Sequence, residues 1–159
     1  MKRPVTFVLN GDDVTVDVEE TATLLDTLRN ELGLTSPRFG CGAGECGTCA
    51  VIIDGEDRAS CMVETGHVAG KSIVTVEGIG TALTPHPIQT AILEKQAGQC
   101  GYCLSGLIVG AKALLDQNPN PTRAEIADAL SWHLCRCGIH NRMIDAIQLA
   151  SQRIERGAK

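Results

Sequence analysis

Three cysteines lie within the twelve residues from Arg38 to Cys49. Cys41, Cys46 and Cys49 have the spacing C-x4-C-x2-C, a glycine directly follows Cys41 and Cys46, and Cys61 comes after eleven further residues. This is the spacing of a plant-type 2Fe–2S ligand set. Thiolates are the soft ligands that such clusters require, and glycines let the backbone turn closely around them. The stretch therefore predicts an iron–sulfur site with Cys41, Cys46, Cys49 and Cys61 as ligands.

The other four cysteines occur later, Cys100 and Cys103 as C-x2-C and Cys135 and Cys137 as C-x-C. We predict that they form a second iron–sulfur ligand set. Cys103 comes at the start of a predicted helix, where unpaired N–H groups and the helix dipole stabilise negative charge. On spacing alone a structural zinc site is the alternative, although C-x-C is tight for tetrahedral zinc.

Eight cysteines in 159 residues also raise the question of a disulfide framework. The tight spacings and the lack of a signal-peptide pattern at the start argue against it. The net charge is −5, the pI is about 5.3, and no apolar run is long enough to cross a bilayer. We therefore predict a cytoplasmic protein, periplasmic only if exported with a signal-bearing partner, with no nucleic-acid partner and no membrane insertion.

The first half of the chain has the periodicity of strands with one helix between them. Two alternating runs, Val5–Leu9 and Val14–Val18, flank Asn10-Gly11 and predict a β-hairpin. Leucines at helical spacing predict a helix within residues 21–32, and apolar runs at 51–53 and 73–76 predict two more strands. A small mixed sheet packed on one helix is expected.

Glycines and prolines in residues 79–87 predict a linker between a first domain, 1–78, and a second domain, 88–159. The second domain has helical periodicity throughout. A helix begins near Ile88, and a second carries the apolar stripe from Leu104 to Leu115. Thr122 and Glu125 form a capping box for a third helix, which we expect to reach Leu134. A fourth runs from Met143 to Ile154, so a small four-helix bundle is expected.

Two segments give the chain a family resemblance. Gln99-Cys100-Gly101-Tyr102-Cys103 and Leu134-Cys135-Arg136-Cys137-Gly138, together with the first cysteine loop, resemble the small iron–sulfur subunit of the xanthine oxidase family of molybdenum hydroxylases. The resemblance extends from Val5 to Ala150. It implies an α+β protein, in which an N-terminal β-grasp, ferredoxin-like domain is followed by an all-α four-helix domain, each with one 2Fe–2S cluster.

Two departures narrow the branch of the family. Gly138-Ile139-His140 stands where flavin-linked members commonly read T-G-Y, and Leu104-Ser105-Gly106 replaces their threonine-proline-glycine. The chain is most similar to the small subunits of nicotinate dehydrogenase, isoquinoline oxidoreductase and bacterial aldehyde dehydrogenase. The resemblance implies an electron-transfer subunit with no substrate site of its own, and an acceptor that is a cytochrome c or a flavin-containing protein.

The resemblance also implies how the chain meets its catalytic partner. A separate large subunit would hold a molybdopterin cofactor, with the cluster of Cys100, Cys103, Cys135 and Cys137 nearer to it. Gln99 matches the glutamine that contacts the pterin, and Cys137 is a second candidate contact; on sequence alone Gln99 is equally a polar residue at a helix start. A free-standing two-cluster ferredoxin is the alternative function.

Overall fold

A computed structural model describes residues 2–19 and 21–157. Its single five-stranded sheet has the order β2-β1-β5-β3-β4. The strands β1 and β5 are parallel, and the other neighbouring pairs are antiparallel. The sheet is therefore mixed, as the sequence predicts. Its strands are β1 (Lys2–Leu9), β2 (Asp12–Glu19), β3 (Ala50–Ile53), β4 (Glu56–Ala59) and β5 (Ser72–Val74).

The predicted hairpin is β1 and β2, and its turn explains the sequence Asn10-Gly11. Both residues have positive φ, 53° and 95°, the conformation that a two-residue hairpin turn with the strand twist requires. Val5 and Phe7 of β1 point into the core together with Val16 and Val18 of β2. The alternation in the sequence thus gives the sheet one buried face.

The predicted first helix is present but irregular. An α-helical turn, α1 (Leu24–Asp26), continues as a π-helical segment over Thr27–Glu31. The Thr23 hydroxyl caps it by accepting a hydrogen bond from the Asp26 N–H at 3.1 Å. Leu24 and Leu28 are fully buried against the sheet. This helix covers one face of the sheet.

The second half of the chain is helical, as predicted. Its main helices are α3 (Pro87–Glu94), α4 (Leu104–Gln117), α5 (Arg123–Ala129) and α6 (His140–Gly157), preceded by the short α2 (Val76–Ile79). The capping box of Thr122 and Glu125 is formed. The expectation that this helix reaches Leu134 is wrong: α5 ends at Ala129, and Leu134 lies 58% exposed in the loop before α6.

The strand β3 joins the two halves because it is buried on both faces. Val51 and Ile53 belong to the core beneath α1, whereas Ala50 and Ile52 belong to the core of the helices. A strand covered on both sides must be apolar at every position, which explains the run Ala-Val-Ile-Ile. The helix α4 packs on this second face. The domain bounds 1–78, 79–87 and 88–159 stay a prediction, since α2 lies across residue 78.

No helix in residues 2–19 and 21–157 is long and apolar enough to cross a membrane.

The carboxylate of Glu77 ties α2 to the segment that leads into the first cysteine loop. It accepts hydrogen bonds from the Ser36 N–H at 3.0 Å, from the Ser36 hydroxyl, and from the Thr75 hydroxyl at 2.6 Å. Partial burial acts to raise the pKa of Glu77, but these hydrogen bonds outweigh it and hold the pKa below its usual value. The ionised form is therefore the one that stabilises the fold.

We expect Glu77→Gln to lower the free energy of unfolding by about 1 kcal/mol at pH 7. The folded pKa is depressed, so the stabilisation is complete above the unfolded value of about 4.3 and is lost as pH falls through the folded value. Chemical denaturation of the wild type and Glu77→Gln between pH 7 and pH 3 should show that their free energies of unfolding converge as the pH falls. Glu155→Gln, an exposed glutamate of α6, is the matched control. A difference that persists unchanged at pH 3 would contradict this account.

Candidate iron–sulfur sites

The first cysteine loop is a series of tight turns. Gly42, Gly44 and Gly47 have φ of 68°, 74° and 68°, a region that residues with a side chain rarely adopt. The turns aim backbone N–H groups at sulfur: those of Ala43 and Glu45 lie 3.3 and 3.4 Å from the Cys41 Sγ. Such donors stabilise thiolate, and the pKa of Cys41 is lowered to about 7 by them.

The four thiols around this loop interact in two pairs. The Cys41 N–H lies 3.4 Å from the Cys46 Sγ, and the Cys46 thiol in turn hydrogen-bonds to Cys41. Burial, together with a hydrogen bond to Cys49, raises the pKa of Cys61 to about 11. Cys61 is carried by the 3₁₀ turn Ser60–Met62 that follows β4, a strand that the sequence did not predict. The structure thus brings all four predicted ligands of the first set together.

The second set of thiols also forms two pairs, Cys100 with Cys137 and Cys103 with Cys135. The Tyr102 N–H and the Cys137 thiol lower the pKa of Cys100 by hydrogen bonding to its thiolate. Burial and a hydrogen bond to Cys135 raise the pKa of Cys103 to about 12. Cys103 is the N-cap residue of α4, as predicted. The pairs join segments that are more than thirty residues apart in the chain.

These donor sets fit two-iron clusters. All eight cysteines are free thiols. Paired thiols, two for each iron, are what a 2Fe–2S cluster with four cysteine ligands uses. Around the first set, a Cβ at Gly40 would lie only 2.6 Å from the Cys46 sulfur, so the loop leaves room for nothing larger than glycine there.

Gln99 lies at the exposed edge of the second set. Its side-chain Nε2 donates a hydrogen bond to the Cys137 carbonyl oxygen at 3.2 Å. The two residues that were predicted to contact a cofactor on another chain are therefore neighbours here. Gln99 and Cys100 are both exposed, so this edge is open to a partner.

The two cysteine sets meet at the contact between the halves of the protein. The Leu134 N–H, next to Cys135, donates a hydrogen bond to the Cys46 carbonyl oxygen at 3.0 Å. Beside it the backbone of Gly47 runs against α4 at Gly106, where a Cβ would overlap the Gly47 carbonyl oxygen. Two glycines in contact permit this close approach. Cys46, a predicted ligand of the first set, is thus one hydrogen bond away from Leu134, which precedes Cys135, a predicted ligand of the second set.

His133 fills the remaining space at this contact, a role that sequence reasoning missed. Its ring is buried between Gly47 and Gly110, where added Cβ atoms would lie 2.5 Å from ring nitrogens. Its Nε2 lies 3.1 Å from the Asp57 Oδ2, and its Nδ1 has no hydrogen-bond partner within the described residues. Glycine in mid-helix at position 110 is the one signal in the sequence that a bulky neighbour lies there.

Comparison with known proteins agrees with this geometry. Residues 7–72 match the family described as a 2Fe–2S iron–sulfur cluster binding domain, and residues 75–148 match the 2Fe–2S binding domain family. A nicotinate dehydrogenase subunit from Pseudomonas putida is 45% identical over 96% of this chain and 97% of its own length. The alpha subunit of isoquinoline 1-oxidoreductase from Brevundimonas diminuta is 44% identical over 93% of this chain and 97% of its own length. The chain belongs to the small iron–sulfur subunits of the xanthine oxidase family of molybdenum hydroxylases.

A solved structure extends the likeness to the three-dimensional fold of this family. Aldehyde oxidoreductase from Desulfovibrio gigas superimposes with a TM-score of 0.94 at 37% identity, and the match covers 99% of this chain and 18% of that one. The predicted architecture, a ferredoxin-like domain followed by a helical domain, is confirmed. As a small subunit of the xanthine oxidase family, the chain is an electron-transfer component with two 2Fe–2S binding domains.

The packing of His133 predicts an unusual response at Gly110. Glycine to alanine within a helix ordinarily stabilises by up to about 1 kcal/mol. In Gly110→Ala the new Cβ would overlap the His133 ring, so we expect a loss of about 1–3 kcal/mol instead. Thermal unfolding measures this, with Gly157→Ala in α6 as the control, because a Cβ there would touch nothing among residues 2–19 and 21–157. Equal or higher stability of Gly110→Ala would show that His133 does not occupy this space.

Proposed function

We propose that the chain passes electrons one at a time from a molybdopterin centre on a larger partner chain, through the second cysteine set and then the first, to an external acceptor. The observation that carries this proposal is the hydrogen bond from Leu134 to Cys46, because it joins the two ligand sets directly. The proposed order of transfer rests on the family resemblance, in which Gln99 matches the glutamine that contacts the pterin, and the exposure of Gln99 beside the second set supports it.

Each site would hold one 2Fe–2S cluster, which accepts and releases a single electron at a time. The backbone N–H groups that point at Cys41 and Cys100 offset the negative charge of the thiolates. Burial of Cys49 and partial burial of Cys103 keep part of each site away from water. The proposed ligands are Cys41, Cys46, Cys49 and Cys61 in the first site, and Cys100, Cys103, Cys135 and Cys137 in the second.

The link between the sites consists of backbone and one hydrogen bond. From the Cys135 sulfur, covalent bonds lead through the Cys135 backbone to the N–H of Leu134, which reaches the Cys46 carbonyl oxygen over 3.0 Å. From this carbonyl group, the covalent bonds of Cys46 continue through its Cα and Cβ atoms to its sulfur. The burial of Gly47 and His133 alongside holds this link rigidly.

Electrons would enter where Gln99 and Cys137 face a molybdopterin-binding subunit. A fixed partner is favoured over a free two-cluster carrier, since the same fold makes up 18% of a longer enzyme chain in the Desulfovibrio gigas protein. The nicotinate and isoquinoline relatives are likewise named as subunits. The substrate pocket would lie on the partner chain.

Electrons would leave from the first site. Cys41 is exposed there, and so are two large apolar side chains beside the loop, Phe39 and Met62. A cytochrome c or a flavin-containing protein would take up electrons at this side. We place the chain in the cytoplasm, unless it is exported with a signal-bearing partner, because cluster assembly needs the eight cysteines as free thiols.

Anaerobic purification with metal analysis and EPR tests the two-cluster assignment. About four irons per chain and two distinct reduced 2Fe–2S signals are expected. Cys46→Ser should remove one signal and Cys135→Ser the other, because each thiol is proposed to bind a different cluster. Zinc in place of one signal in the wild type would refute the second cluster.

Substitution of Gln99 tests the entry side. Gln99→Ala removes the hydrogen bond to the Cys137 carbonyl and any contact with a partner's cofactor, but no cluster ligand. In the complex with the large chain, both EPR signals should remain while their reduction by substrate slows about tenfold or more. Gln152→Ala, at an exposed glutamine of α6, is the control. Unchanged reduction in Gln99→Ala would place the entry elsewhere.

A further inference from the structure

A reciprocal contact of two side chains joins the two ligand turns. The Arg38 guanidinium donates hydrogen bonds to the carbonyl oxygens of Gly101, at 2.6 Å, and Tyr102, at 3.2 Å. In return the Tyr102 hydroxyl donates to the Phe39 carbonyl oxygen at 2.5 Å. We call this pair of side chains, Arg38 and Tyr102, the clasp.

The clasp is placed on the ligand turns themselves. Gly101 and Tyr102 are the two residues between Cys100 and Cys103, and Arg38 comes three residues before Cys41. The Arg38 N–H also donates to the Thr48 carbonyl oxygen, at 3.4 Å, next to Cys49. Arg38 therefore connects the end of the first loop, at Thr48, with the turn of the second set.

The chemistry of the clasp requires an arginine. A guanidinium is planar, carries five N–H donors and stays charged at all accessible pH, so it can reach two successive carbonyl oxygens at once. It also lies 5.5 Å from the centre of the Tyr102 ring, within range of a cation–π interaction. Within the described residues its contacts are carbonyl oxygens and this ring, and no ion pair with a carboxylate neutralises it.

We infer that Arg38, held by Tyr102, is a positioning residue for electron transfer between the two sites. It fixes the separation of the two ligand turns, because its backbone N–H bonds to the first loop and its guanidinium bonds to the turn between Cys100 and Cys103. A cation in that position stabilises the additional electron on either cluster and raises both reduction potentials. The inference rests on the proposed function, because it needs a cluster in each site.

Three variants separate the charge from the geometry. Arg38→Gln removes the charge and keeps one amide donor; Arg38→Lys keeps the charge but loses the planar fork; Tyr102→Phe removes only the hydroxyl that bonds to the Phe39 carbonyl. The control is Arg123→Gln, which removes a surface arginine that pairs with Asp145 on the helical domain. The measurements on the iron-loaded chain are the iron content, the midpoint potentials of both EPR signals, and the magnetic interaction between the two reduced clusters.

The expected results differ between the variants. Arg38→Gln lowers both midpoint potentials relative to Arg123→Gln, and weakens the magnetic interaction between the clusters. Arg38→Lys keeps the potentials near those of the wild type but weakens the interaction, and Tyr102→Phe does the same to a smaller extent. If Arg38→Gln does not load iron, the Lys and Phe variants decide the matter through the magnetic interaction.

The inference is overturned if the Arg38 and Tyr102 variants match Arg123→Gln in potentials and in magnetic interaction at full iron content. That outcome leaves the proposed function intact. By contrast, a wild-type chain without two 2Fe–2S signals refutes the proposed function before any variant is compared.

Discussion

The close approach of the Gly47 backbone to α4 is the contact on which the arrangement of this protein depends. The contact is possible only because Gly106 has no side chain to separate the two backbones. It holds the first cysteine loop against the helical half. The strand β3, which is buried on both faces, begins directly after this loop. The Leu134 hydrogen bond, the His133 packing and the Arg38–Tyr102 clasp all lie around this contact. Electron transfer through the chain is thus a consequence of backbone proximity.

Much of this could be predicted from the sequence, because the signals are local. The spacing of the cysteines predicts two ligand sets, and the fold brings the thiols of each set near one another. Asn10-Gly11 fixes the hairpin turn through a conformation that few residues adopt. The capping box of Thr122 and Glu125 and the apolar stripe of α4 likewise depend on neighbours within a turn or two. Gln99 and Cys137 were each predicted to contact a cofactor, which stays a prediction; the hydrogen bond between them was not predicted.

What could not be predicted depends on partners that are distant in the chain. Leu134 is apolar and lies at helical spacing from Leu130, but the chain leaves α5 through tight turns at Ser131 and His133, and the Leu134 N–H bonds to Cys46 instead. The strand β4 is short and half-exposed, and it exists because β3 offers it an edge. Nothing in the sequence distinguishes His133 from the other histidines, because its role depends on Gly47, Gly110 and Asp57, which surround it only in the folded chain. Tertiary contacts override local propensity at each of these places.

The pairing of thiols has a consequence for how each site depends on the fold. Cys41, Cys46 and Cys49 share one loop, and Cys61 is close behind, so the first site is complete once the N-terminal residues have folded. The second site takes one thiol of each pair from before α4 and the other from after α5, so it exists only when nearly the whole chain has been synthesised. Because metal binding and folding are coupled, the first site depends on contacts that are close in the chain, whereas the second depends on nearly the whole helical half being folded. Loss of structure in α4 or α5 would therefore separate the thiols of the second site before those of the first.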